Sequence, residues 1–331
     1  MIEAKPMEIH DRADATFRDY LRIARLDHAT KHIFVVPGIV LAFLLRPEVG
    51  TLRLDRIALG FLSAVLMASA NYVINEWLDR EFDRFHPEKS KRAAVQKHLS
   101  PVVVVAEYVA FAAAGLALAF WVNTLFGIVG SLFLASGLAY NVRPIRTKDA
   151  VFVDVLTESL NNPLRLTLGW AMVDATSLPP ASLLFGYWFG GAFLMNAKRL
   201  AEYRDIVAEQ GKEQLARYRR SFRHYTERRL LVATLLYALM SAFFVAIFFV
   251  KYRIEYIIMF PPLALLFCEY FLLALTPDSV ARKPEYLFKA KRLLGLAALV
   301  AALFVVATLV DLPVLERLTT RHFIELAGRA P

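Results

Sequence analysis

The segment Asn75–Arg92 reads N-E-W-L-D-R-E-F-D-R-F-H-P-E-K-S-K-R, with its acids first and most of its bases last. At about 100° per residue, Asn75, Glu76, Asp79 and Asp83 share roughly a 100° arc of one helical face. Asn71 lies one turn further back, and Glu81 points away. Three carboxylates on one face repel one another unless a cation sits among them. Mg²⁺ suits such a place, because it takes a few carboxylates, keeps several waters and shares its other positions with a substrate's phosphates. His86, Lys89, Lys91 and Arg92 follow at once and are placed to grip the phosphate oxygens that the metal leaves free. The plain alternative is a solvated, charged helix end. The sorting of acids from bases, directly after a long apolar stretch, favours a site.

Two further clusters carry chemistry. In Met195–Asp205, M-N-A-K-R-L-A-E-Y-R-D, the residues Lys198, Glu202 and Asp205 share a face at i, i+4 and i+7, with Arg199 beside them. This reads either as a second anion and metal clamp or as helix-end cations with ordinary ion pairs. Tyr140–Lys148, Y-N-V-R-P-I-R-T-K, is a short turn bearing Arg143, Arg146 and Lys148. Behind it, Asp154, Glu158, Asn162 and Arg165 fall on one stripe of an otherwise apolar segment. Ionisable groups inside a bilayer are costly unless they pair or face a wet cavity, so the stripe is a site hypothesis. An ion-pair network that only orients helices is its alternative. Residues 212–229 read as an interfacial helix whose cations meet lipid headgroups, with none singled out. His86, alone before a proline, reads equally well as a capping residue. There is no Ser/His/Asp arrangement, no zinc-spaced Cys/His set and no Gly-rich phosphate loop.

The elements that must position these residues are set by composition. Of 331 residues, 57% are hydrophobic and only 21% charged, with mean hydropathy +0.45. That is the composition of a polytopic membrane protein. A single cysteine, Cys268, excludes a disulfide framework. The charged first thirty residues carry no signal-peptide core. The net charge of +9 is spread over loops between apolar segments, which fits an anionic membrane face or substrate and no nucleic acid.

Apolar stretches at 31–46, 55–75, 101–121, 123–141, 151–172, 181–200, 229–250, 255–275 and 292–312 predict an all-α bundle of about nine transmembrane helices. The fifth is polar for a span, and Pro261-Pro262 should kink the eighth. The chain reads as one membrane domain, 1–331: an interfacial helix over 1–30, the bundle over 31–312 and a tail over 313–331. A homo-oligomer is compatible with such a bundle. With nine spans, the side that holds the N-terminus carries 30 of the Lys and Arg residues and the opposite side 8. The positive-inside rule then sets the N-terminus and all the charged motifs in the cytoplasm, in a multi-pass protein of the inner (plasma) membrane.

Taken together, the motifs resemble the UbiA superfamily of intramembrane prenyltransferases over essentially the whole chain. Within it they are most similar to the branch that transfers phosphoribose to decaprenyl phosphate. N-E-x-x-D-x-x-x-D-R-x-H-P-x-K-x-x-R at Asn75–Arg92, Y-x-x-R-P-x-R-x-K at Tyr140–Lys148 followed by Asp154, and K-R-x-A-E at Lys198–Glu202, then the R-Y-R-R-S-F-x-x-Y-T run at Arg217–Thr226, carry the likeness, with Lys31 at the first span. Glu76 stands where Asp is usual, Ala93 where proline commonly follows the arginine, and His32 where asparagine is common.

The resemblance implies a cytosol-facing polar cavity and Mg²⁺ on Asp79, Asp83 and Glu76, with Asn75 orienting a carboxylate. His86, Lys89, Arg92, Lys198 and Arg199 would grip phosphoribosyl diphosphate. Lys31, Arg146, Lys148 or Arg165 would hold the phosphate of a polyprenyl phosphate, with Tyr140, Asp154 and Glu202 also at the substrates. Two other readings stay open: a prenyltransferase using a prenyl diphosphate and an aromatic or lipid acceptor, and a transporter or lipid-binding scaffold with the same cavity.

Overall fold

The computed structural model describes residues 13–86, 89–276 and 290–319. Apolar stretches without internal breakers form the long helices: α3 (Leu54–Asp83), α5 (Pro101–Val122), α6 (Thr124–Asn141), α10 (Glu227–Tyr252) and α12 (Lys291–Leu309). Their starts follow local chemistry. Pro101 opens α5, where its missing N–H costs nothing. Asn123 caps α6, its Oδ1 accepting the Phe126 N–H at 2.8 Å. Thr226 caps α10 through Arg229 N–H.

Six helical stretches among the described residues are long and apolar enough to cross a membrane: these five and Ile254–Leu275. The protein is thus an all-α, multi-pass membrane bundle. The other three expected spans take different forms. The first is the ten-residue α2, Val36–Leu45. The fifth is two helices, α7 (Val153–Ser159) and α8 (Asn161–Val173), interrupted at Leu160. Pro163 offers no N–H to the carbonyl four residues before it, which explains the interruption. The sixth extends into α9, Ala181–Tyr218, far beyond residue 200.

Other expectations are corrected. The N-terminal helix is only α1, Phe17–Ile23, followed by a 3-10 stretch from Leu26 to Val35; residues 1–12 lie outside the described residues. Asp19 closes α1 by accepting from the Thr16 N–H at 2.9 Å and the Thr16 hydroxyl at 2.8 Å. Residues 212–229 do not form one interfacial helix. Gly211, at φ +80°, kinks α9, a 3-10 turn follows at Arg220–Arg223, and α10 then begins. Pro261 and Pro262 do not kink a helix; they occupy the first turn of α11, Phe260–Leu275.

Two of the apolar cores pack the helices around the polar residues. Met67, Phe126, Phe133, Leu168 and Met172 join α3, α6 and α8, and Phe193, Ala197, Tyr237 and Tyr270 join α9, α10 and α11. Lipid tails are as apolar as leucine, so helix association here depends on close packing. The backbones of α2 and α8 approach closely where they cross. A Cβ on Gly38 would lie 1.9 Å from the Leu166 carbonyl oxygen, and one on Gly169 would lie 2.0 Å from that of Val35. Each helix therefore presents a glycine to the other's backbone, and this crossing fixes the position of α8 and its polar residues.

Candidate active site

The C-terminal ends of α3 and α6, the α7–α8 junction and the middle of α9 surround a cavity of roughly 250 Å³. Ten Lys and Arg side chains and five Asp and Glu side chains line it. Such a surplus of positive charge is suited to a ligand with several negative charges.

The first wall comes from α3 and the loop after it. Asp79 and Asp83, one turn apart, both face the cavity, with Asn75 above them. Asp79 is bound by the Lys148 ammonium and, at 3.1 Å, by the Arg146 guanidinium. Asp83 is bound by Arg92. The amide of Asn141 ties this wall together: its Oδ1 accepts from Asn75 at 2.5 Å and from Lys148 at 2.9 Å, while its carbonyl accepts from Arg146 at 2.8 Å. Desolvation pushes the Lys148 ammonium down to about 8 despite neighbouring Asp79, and Lys89 down to about 8 despite Glu202 and Asp83. Both gain from an anion that enters beside them.

The second wall is held from behind by Asp154. This carboxylate is fully buried and does not reach the cavity. It accepts from Tyr225 at 2.6 Å, Arg219 at 3.1 Å, Ser221 at 3.2 Å and Arg199 at 3.4 Å. Glu158 accepts from Arg199 at 2.5 Å and from the Tyr140 hydroxyl at 2.9 Å. Arg219 also donates to the Tyr140 hydroxyl at 2.8 Å. Two guanidiniums are thereby fixed in the wall before any ligand arrives, at no ordering cost on binding.

Of the residues singled out in the sequence, the structure gathers Asn75, Asp79, Asp83, Lys89, Arg92, Tyr140, Arg146, Lys148, Arg165, Lys198, Arg199 and Glu202 around the cavity. Lys91, Arg143, Asn162 and Asp205 do not line it, and three residues expected at the metal or the substrates also lie elsewhere. Glu76, at the edge of the acidic arc, is turned away and bound by Arg25 at 2.8 Å. It does not join the other two carboxylates, because Arg25 holds its carboxylate. His86 lies behind the wall, where its Nδ1 accepts the Lys89 N–H at 3.3 Å and closes the turn. Asp154 is the buried support just described. The side chain of Lys31, like Pro87 and Glu88, lies outside the described residues.

The sequence assigns no individual role to Arg219 and Arg220, which line the cavity with Asn141, or to Ser221 and Tyr225 behind them. The available signal was Gly211 inside a charged helical pattern, which marks a place for the chain to fold back.

The residues present fit Mg²⁺ in one respect. Among the described residues no three His, Cys, Asp or Glu side chains form a ready-made cage. Asp79 and Asp83 nonetheless give the pair of carboxylates on which Mg²⁺ commonly rests when phosphates complete its sphere.

A membrane-embedded helical bundle with paired carboxylates and a phosphate-sized, cation-lined cavity belongs to the class of intramembrane transferases. The chain is a member of the UbiA prenyltransferase family, whose sequence profile matches residues 34–294. It is 29% identical over 213 residues to the protoheme IX farnesyltransferase of Alkalihalophilus pseudofirmus, covering 62% of this chain and 67% of that one. It is also 29% identical over 178 residues to the decaprenyl-phosphate phosphoribosyltransferase of Mycolicibacterium smegmatis, covering 52% of this chain and 51% of that one. Among solved structures, a UbiA homolog from Archaeoglobus fulgidus bound to GPP and Mg²⁺ shares the fold with a TM-score of 0.65. The identity is 20%, over 88% of this chain and 100% of that one.

Proposed function

We propose that this transferase moves 5-phosphoribose from phosphoribosyl diphosphate to a polyprenyl phosphate and releases pyrophosphate, at the cytosolic face of the inner membrane. The observation that carries this reading is the make-up of the second wall. Where a second acidic D-x-x-x-D motif is typical of prenyl transfer, four cations, Lys198, Arg199, Arg219 and Arg220, line the cavity with two acids, Glu158 and Glu202. A prenyl diphosphate brings one diphosphate group. Phosphoribosyl diphosphate adds a 5-phosphate, and the lipid acceptor adds a further phosphate, which matches the surplus of cations. The likeness to the mycobacterial phosphoribosyltransferase supports the same reading.

Asp79 and Asp83 would hold Mg²⁺, which supplies electrostatic stabilisation of the departing pyrophosphate. Lys89, Arg92, Arg146 and Lys148 then turn from the carboxylates to the diphosphate oxygens, while Arg199 and Arg219, held by Asp154 and Glu158, meet the 5-phosphate. An oxygen of the lipid phosphate forms a bond to C1 of the ribose. The bond from C1 to the pyrophosphate oxygen breaks, and its electron pair leaves with pyrophosphate. The attacking oxygen is already anionic, so no general base is required.

Transfer of a prenyl group to an aromatic or lipid acceptor is the second reading, favoured by the longer match to the farnesyltransferase. Purified protein with Mg²⁺ and either substrate pair separates the two. Pyrophosphate release is expected with phosphoribosyl diphosphate and a short polyprenyl phosphate. Release only with a prenyl diphosphate and 4-hydroxybenzoate overturns the proposal.

A further inference from the structure

Arg165 is a cation of the cavity without a carboxylate partner. It lies on α8 and lines the cavity, but it forms no ion pair or hydrogen bond with any described residue. Its Nε is buried and unpartnered. Its guanidinium stands over the ring of Phe133, 5.5 Å from the centroid. Neighbouring Asn71 lines the same end; its amide nitrogen donates one N–H to the Phe133 carbonyl at 3.2 Å and has a second to offer. Asn161 completes the group, with its own amide turned to the Glu158 carbonyl at 3.0 Å.

This end of the cavity is deep. Asn71 precedes Asp79 by eight residues of α3, about 12 Å along the axis. Arg165 lies about 6 Å along α8 from Asn161 and about 13 Å from Asp174 at the far end of that helix. Arg165 is half-buried, and its guanidinium opens into the cavity with no carboxylate to meet it, which leaves it free for an anion. A prenyl chain is a poor occupant, because it would bury the charge against hydrocarbon.

We propose that Arg165, with Asn71 and Asn161, forms the subsite for the phosphate of the acceptor lipid. The inference rests on the phosphoribosyl reading and adds a direction to it: the acceptor phosphate sits deeper in the bundle than the donor's diphosphate. In-line displacement fits this order. With the diphosphate at Asp79 and Asp83 near the mouth, an oxygen that attacks C1 in line with the departing pyrophosphate approaches from the opposite, inner side. Arg165 binds and orients that phosphate and exchanges no proton.

The test compares wild type, Arg165→Met and Arg165→Lys with farnesyl phosphate as acceptor. In Arg165→Met the acceptor KM rises about tenfold or more, as expected for lost charge-assisted hydrogen bonds. Binding of phosphoribosyl diphosphate, measured by calorimetry without acceptor, stays within about twofold. Arg165→Lys recovers part of the loss and also covers the case in which the methionine variant fails to fold. An unchanged acceptor KM, or weakened donor binding in step with it, overturns the assignment and gives the subsite to the donor in the latter case. Direct binding of farnesyl phosphate, inorganic phosphate and farnesol to wild type and Arg165→Met provides the separate readout. Farnesyl phosphate is expected to lose affinity in the variant and farnesol to be indifferent to it, and equal loss for inorganic phosphate marks a site for free phosphate instead. Wild type that binds farnesyl phosphate through Arg165 yet never uses phosphoribosyl diphosphate refutes the proposed reaction while leaving this subsite intact.

Discussion

Glu76 and Asp79 lie one turn apart on α3, and the structure gives them different surroundings. Asp79 faces the cavity, where Lys148 and Arg146 meet it. Glu76 is buried against Arg25. Asp79→Asn should lower the rate of pyrophosphate release by about two to three orders of magnitude, the scale of a lost electrostatic contact to the departing group. It should leave thermal unfolding in detergent nearly unchanged, because Asn141 still accepts from both Lys148 and Arg146. Glu76→Gln should do the reverse: the rate stays within a few-fold, and stability falls by about 1–2 kcal/mol as a charged hydrogen bond becomes a neutral one. The glutamine carbonyl still accepts from Arg25, so that guanidinium keeps its place in the wall. A Glu76→Gln variant as inactive as Asp79→Asn would restore all three carboxylates to the metal.

At the scale of elements, the crossing of α2 with α8 controls the site from a distance. Gly169→Ala would set a methyl group about 2 Å from the Val35 carbonyl, so the two helices must part. The expected cost is about 2–4 kcal/mol, read as a lower unfolding temperature in detergent, with a loss of turnover because α8 carries Asn161 and Arg165. Unaltered stability would mean that this contact is looser than described.

The same elements mark what the sequence makes legible. The ranges of α3, α5, α6 and α10 follow from length and apolarity, since lipid selects for both in the segments that face it. Periodicity also gathers Asp79, Asp83 and Asn75 on one face, because a single straight helix carries them. Where a site residue depends on a fold-back, the pattern is silent. Arg219 and Arg220 reach the cavity only after the kink at Gly211 and the turn that follows it, and their spacing to Arg199 along a helix says nothing of this. By spacing, Asp154, Glu158, Asn162 and Arg165 form one face of one helix. With the interruption at Leu160, Glu158 and Arg165 reach the cavity while Asp154 supports two arginines from behind. Asn162 packs against Gly191. Helical angle identifies a face, but the partner helix decides whether that face is cavity or core.

For the whole molecule, the two ends of the bundle differ in charge balance. At the end away from the cavity, acids and bases meet one another: Arg46 binds Asp174 at 2.9 Å, and Arg253 binds Asp311 at 2.7 Å. At the cavity end, bases outnumber acids two to one in the wall alone. That asymmetry is what the positive-inside rule sorts, and it predicts a cytosolic cavity. Thr51 and Lys91 report the two ends, since they flank α3, whose thirty residues span about 45 Å against a hydrocarbon core of about 30 Å. Both are exposed. In a Cys268→Ala background, Thr51→Cys should react with a membrane-impermeant maleimide in right-side-out vesicles, and Lys91→Cys only after the vesicles are opened. The opposite pattern would turn the cavity outward. A donor as highly charged as phosphoribosyl diphosphate does not cross a bilayer unaided, so an outward cavity would separate it from a cytosolic supply and remove the phosphoribosyl reading along with the orientation.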